Sequence, residues 1–141
     1  MLSLDDVHAA REAIGGRLHR TPTFTSTMLS RLTGAEVFLK AELFQRTGSF
    51  KPRGVLTKLA SLTREEKRAG VIAISAGNHA QAVGWAARQE GIDALVVMWR
   101  GASEQKIEAA RAYGATVDLT ADGSPQAFER LEQLLAETGR T

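Results

Sequence analysis

The stretch "RTGSFKPRG", residues 46–54, sets one lysine, Lys51, among small residues and places a proline directly after it. A primary amine with free space around it can bond a carbonyl carbon, which is the basis of Schiff-base chemistry. Pro52 suits the first position of a helix, where no amide hydrogen is missed, and it holds the residue before it extended. Lys51 is therefore expected at a helix entrance. The amino end of a helix disfavours a cation, which suits an amine that must act as a nucleophile. Gly48 and Ser49 leave space for a planar ligand and supply donors for it. The plainer reading is a solvated surface lysine, as most lysines are.

A second stretch, "SAGNHA" at 75–80, follows the apolar run "VIAI" and leads into a helical pattern ending at Gly91. Open α/β sheets bind ligands beyond the carboxyl ends of their strands, and this loop falls at such a point. Gly77 permits close backbone approach, and a helix amino end offers free N–H groups to an anion. Ser75 and Asn78 add side-chain donors. The plainer reading has Asn78 capping the helix and Gly77 making a tight turn. Neither G-x-G-x-x-G nor G-x-x-x-x-G-K-[ST] occurs, so dinucleotide and P-loop readings fail.

The elements that must position these residues follow from local signals. Ser3 caps a helix over 4–14, with Asp5 and Asp6 in its first turn. Residues 20–26 read as an extended link, 26–34 as a short helix closed by Gly34, and 36–40 as a strand. A turn over 45–48 precedes a helix from Pro52 to Leu62. From Thr63 the pattern is regular. A capping box (Thr63 with Glu66) opens a short helix that Gly70 stops. Strands at 71–74, 94–98 and 115–119 alternate with a loop running into a helix over 75–91 and with helices at 103–113 and 124–137. In the last of these, Phe128, Leu131, Leu134 and Leu135 read as the apolar face. This order predicts an α/β fold, a parallel sheet with helices on both faces. It also divides the chain near residue 60, into an irregular portion (1–60) and an α/β unit (61–141).

Composition narrows the function classes. The 141 residues are 43% apolar and 24% charged, enough to bury a core without disulfides or metal. There is no cysteine, hence no thiolate nucleophile or zinc cluster, and three histidines make no metal site. The net charge of +2 is spread rather than clustered, so no nucleic-acid partner is expected. No apolar run approaches the roughly 20 residues that span a bilayer. The first residues carry acids where a signal peptide carries bases, so a cytoplasmic location is expected.

Taken together, "KAELFQRTGSFKPRG" and "GVIAISAGNHAQAVGWAARQEGI" resemble the threonine/serine dehydratase and serine racemase family of pyridoxal-phosphate enzymes, with the tryptophan-synthase-β-like fold. "RTP" at 20–22 and "ASEQKIEAARAYGATV" at 102–117 fit the same family in the same order. The resemblance implies that Lys51 bonds the cofactor and moves the substrate α-proton. It implies that Phe50 packs beside the cofactor ring and Asn78 bonds the ring's 3′-oxygen. Ser75, Gly77, Asn78 and His79 match the loop that receives the substrate carboxylate, and Ser49 lies near that pocket. Arg53 and Gly54 match structural positions, Arg53 tying the lysine helix to its neighbours. The implied reaction is β-elimination from L-threonine or L-serine, giving a 2-oxo acid and ammonia.

Three departures qualify the resemblance. Ala76 stands where serine racemases carry a serine, which favours elimination over racemisation. Trp99 replaces a proline after its strand, and Pro52 is unusual beside the lysine. The chain is also about half the family's length, so the resemblance implies an incomplete cofactor-lysine domain over 1–60 and a nearly complete small domain over 61–141. Three readings of activity stay open: a truncated dehydratase, a non-catalytic remnant, or half of a split enzyme. The corresponding assemblies are a homo-oligomer or a pairing with a complementing C-terminal chain.

Overall fold

Alternation along β4 (Ala94–Trp99) builds two cores from one strand, because successive side chains point to opposite faces of a sheet. Val96 and Met98 enter the larger apolar cluster, while Val97 enters a smaller one joined by Leu95 and Trp99. In the computed structural model, which describes residues 1–141, β4 is the middle of a parallel sheet ordered β3-β4-β5. Its neighbours are β3 (Val71–Ile74) and β5 (Thr116–Ala121), with Ala73 opposite Val96 and Val96 opposite Val117. The register shifts between Val97 and Trp99.

Helices cover both faces, as the β-α order requires. α5 (Asn78–Glu90) brings Ala80, Ala82, Val83, Ala86 and Ala87 into the larger core, and α6 (Glu104–Ala112) adds Ala110. These small residues let helix and sheet backbones approach closely. Gly84 carries this furthest: a Cβ there would sit 3.1 Å from Ala110 O, Ala115 Cβ and Ala115 N. α7 (Ser124–Thr138) covers the other face through Ala127, Leu131 and Leu134. That face differs from the expected one. Phe128 is 56% exposed and Leu135 37% exposed, because the i, i+4, i+7 row runs through alanine at 127 rather than phenylalanine at 128.

Ser3 caps its helix as expected and with Asp6 also closes a capping box, and the expected box of Thr63 with Glu66 forms too. Ser3 Oγ accepts from Asp6 N–H (3.2 Å) at the start of α1 (Leu4–Ile14). Thr63 Oγ1 accepts from Glu66 N–H (3.2 Å) at the start of α4 (Arg64–Ala69). α3 (Lys51–Ala60) starts one residue before the expected Pro52. Phe50 is already in the right-handed helical region (φ −71°, ψ −12°), and Arg53 N–H closes the first turn on Phe50 O at 3.1 Å. Val55, Leu56 and Leu59 of α3 lie in the larger core, so this helix packs onto the α/β unit just before residue 60.

The remaining early elements bury little. β1 (Thr23–Thr25) and β2 (Phe38–Lys40) form an antiparallel pair with every residue exposed, and α2 (Thr27–Thr33) buries none. Phe24, Met28, Leu32, Phe38 and Phe44 are all exposed. At the far end, Thr141 N–H donates to Gly70 O (3.1 Å) and Thr141 O accepts from Ile72 N–H (2.8 Å), a parallel pairing on the free edge of β3. No helix is long and apolar enough to cross a membrane.

Candidate active site

Three anchors fix the backbone leading to Lys51. Gln45, itself buried, accepts from His19 N–H (2.9 Å) and donates to His19 O (2.8 Å), pinning the segment before β1. Glu42 accepts from Arg53 Nε (2.8 Å) and Nη2 (2.7 Å), and from Thr21 Oγ1 (2.5 Å). The Arg53 hydrogen bonds chiefly, with Thr21 and nearby charge helping, pull the Glu42 carboxyl down to about 2 against some opposition from burial. Lys40 Nζ donates to Thr21 O (2.6 Å) and completes the frame. Arg53 thus ties the lysine helix to its neighbours.

The turn between that frame and Lys51 is strained. Thr47 takes a left-handed conformation (φ 60°, ψ 16°), which a β-branched residue adopts only at a cost of about 1–3 kcal/mol. Gly48 follows at φ 66°, where glycine carries no such cost. Thr47 Oγ1 and Ser49 Oγ are both buried and have no hydrogen-bond partner. Buried hydroxyls without partners are rare enough to require an explanation, and a bound ligand is one.

Lys51 is half-buried, its Nζ 5.0 Å from the centre of the Phe50 ring, which is itself 59% exposed. His79 faces it from the first turn of α5. Burial first, and then the Lys51 charge, hold the His79 imidazole below its ordinary value and favour the neutral ring. The turn at 46–48 and α3 both pack against α5. The structure therefore brings Ser49, Phe50, Lys51 and His79 into one neighbourhood, although 28 positions separate Lys51 from His79.

The loop at 75–79 does not take its plainer form. Asn78 is not the cap; it is the first helical residue, with an exposed side chain. Gly77 occupies the cap position, and no side chain closes the amino end of α5. Ser75 Oγ accepts from Gly77 N–H (3.2 Å), so Ser75 shapes the loop through its oxygen and keeps its own O–H to donate. The amino end of α5 is open, with the dipole and unpaired amides that suit a carboxylate.

Two features escaped the sequence reading. Thr47 has no signal in its residue type, since threonine rarely adopts positive φ. Lys106 reaches the loop from α6: leaving aside the residues next to Gly77, its Nζ is the one atom within 4 Å of where a Cβ on Gly77 would be, at 3.9 Å. Its position at the start of α6, beyond the carboxyl end of β4, was a usable signal, because ligands collect at that end of the sheet.

The chain is similar to known proteins over nearly all of its length. Residues 15–141 match the family described as pyridoxal-phosphate dependent enzymes. The chain is 43% identical to the L-threonine ammonia-lyase of Thermotoga maritima, over 99% of this chain and 35% of that protein. It is 44% identical to an L-threo-3-hydroxyaspartate ammonia-lyase of a Pseudomonas species, over 99% and 41% respectively. Its fold superimposes on maize serine racemase with a TM-score of 0.90 at 33% identity, covering 99% of this chain and 42% of that one. The chain thus spans well under half the length of these relatives. Over nearly all of its own length it belongs to the pyridoxal-phosphate dependent enzyme family.

Proposed function

We propose that this chain carries the lysine half of an ammonia-lyase site, which removes the β-hydroxyl and the amine from L-threonine or L-serine. The net change is a hydroxy amino acid to a 2-oxo acid and ammonia. The observation that carries this reading is the strained turn at 47–49, whose two buried hydroxyls lack partners directly before Lys51. Those residues fit pyridoxal phosphate: an amine, an exposed aromatic face beside it, and donors with no other use. When bound, the cofactor supplies an electron sink for the negative charge left on the substrate α-carbon.

Each residue has a part in this reading. Lys51 would hold the cofactor through its amine, and that amine would move the substrate α-proton. Phe50 would pack beside the cofactor, and Asn78 would donate to it. The open amino end of α5, with Ser75, Gly77, Asn78 and His79, holds the substrate carboxylate, and Ser49 donates nearby. Ala76 has no hydroxyl to return a proton from the opposite face, which favours elimination over racemisation. The relatives named above act on threonine and on 3-hydroxyaspartate, both β-hydroxy amino acids, and this supports the substrate class.

The relatives are more than twice as long as the span this chain matches, and the rest of the family fold would complete the site. Residues 1–60 form part of the cofactor-lysine domain and 61–141 the small domain. The exposed Phe24, Met28, Leu32, Phe38 and Phe44 form the surface that the complement covers. Co-expression with the C-terminal part of the Thermotoga relative tests this reading. A stable complex should release ammonia from threonine, and Lys51→Ala should abolish that release. A complex whose activity survives Lys51→Ala contradicts the reading.

A further inference from the structure

We infer that Thr47 is a further binding residue of the Lys51 site, its buried hydroxyl reserved for an acceptor oxygen on the group held there. The inference rests on the reading that Lys51 holds pyridoxal phosphate.

In the chain by itself, nothing rewards a threonine at this position. Its backbone is left-handed (φ 60°, ψ 16°), a region that crowds a β-branched side chain and that glycine or asparagine enters more easily. Thr47 is the one residue other than glycine with positive φ. Its hydroxyl does not offset that cost, since Oγ1 is buried and bonds no other group. Neighbouring threonines spend theirs: Thr57 Oγ1 donates to Arg53 O at 2.9 Å, and Thr21 Oγ1 to Glu42 at 2.5 Å.

The strained turn is imposed by its surroundings. Gln45 O accepts from Gly48 N–H (2.9 Å), and Gln45 Oε1 accepts from Arg46 N–H (2.9 Å), so a buried side chain closes residues 45–48. Gly48 continues the left-handed path at φ 66°, and Ser49 then runs extended (φ −157°, ψ 167°) into Phe50. A conformation fixed from outside in this way is where strain persists at working sites. Ser49 Oγ is also buried without a partner, so two such hydroxyls lie within four residues of Lys51. An acceptor on a bound group would satisfy what the turn leaves unmet.

The test pairs Thr47→Val, which keeps the branched shape without the hydroxyl, with Thr47→Ser, which keeps the hydroxyl. In urea unfolding without cofactor, Thr47→Val should be no less stable than the unmodified chain, because a hydroxyl without a partner has no bond to lose. The same variant should raise the pyridoxal phosphate concentration that half-saturates borohydride labelling of Lys51 by about fivefold, the effect of one hydrogen bond. Thr47→Ser should stay within about twofold of the unmodified chain. Destabilisation by Thr47→Val without cofactor overturns the inference, since the hydroxyl then already serves the fold. Half-saturation that Thr47→Val leaves unchanged, or that Thr47→Ser shifts equally, overturns it while the reading of Lys51 stands. An unmodified chain with no saturable labelling at Lys51 sinks the cofactor reading and the inference with it.

Discussion

Arg53 grips Glu42 through two parallel hydrogen bonds, 2.8 and 2.7 Å long, from a position two residues after Lys51. A planar guanidinium matches a carboxylate in this way, so the pair fixes orientation as well as distance. Because Glu42 also holds Thr21, one carboxylate locates the lysine helix relative to the chain's early segment.

The pair should therefore make the fold acid-sensitive. Glu42 titrates near 2 in the folded chain against an ordinary 4.5. A depressed carboxyl stabilises the fold fully above its unfolded value, and that stability drains away as pH falls through the folded value. Urea unfolding between pH 7 and pH 3 should show stability declining below about 4.5. Arg53→Met should cost about 1–3 kcal/mol at pH 7 and flatten that decline, as expected for a charge-assisted bond.

His79 should report its neighbour. Its imidazole is lowered first by burial and then by the Lys51 charge. A histidine held neutral loses stability for the fold as pH drops below the ordinary 6.5, because the unfolded chain then binds the extra proton. Proton NMR should place its midpoint below that value, and Lys51→Met should move it part of the way back. A midpoint indifferent to Lys51 would separate the two residues that the site needs together.

Two glycines should respond to alanine with opposite signs. Alanine is the better helix former by about 1 kcal/mol. At Gly54, within α3, a Cβ meets nothing within 4 Å, so Gly54→Ala should stabilise the chain by about 0.5–1 kcal/mol. At Gly84 the Cβ meets backbone at 3.1 Å. Overpacking against an element that cannot step aside costs about 1–3 kcal/mol, so Gly84→Ala should destabilise despite its propensity. Thermal unfolding of both variants checks the signs.

Much of this architecture is legible in local pattern, for physical reasons. "VIAI" and "ALVVMW" are apolar on both faces, which only a covered parallel strand tolerates, and Thr63 with Glu66 states a helix start in four residues. The α7 face was less readable, because alanine at 127 packs more deeply than the larger Phe128. Asn78 reads as a cap by residue type, yet the loop spends Ser75 on the turn and leaves the helix end open. The left-handed Thr47 arises from tertiary geometry, and no spacing along the chain encodes it.

The central claim is that Lys51 is the amine that bonds pyridoxal phosphate. The chain should be incubated with the cofactor, reduced with borohydride, digested and mapped by mass spectrometry. Saturable labelling at Lys51, lost in Lys51→Ala while Lys106 and the other lysines stay unmodified, is the predicted result. Labelling scattered over surface lysines, or unchanged by Lys51→Ala, would contradict it.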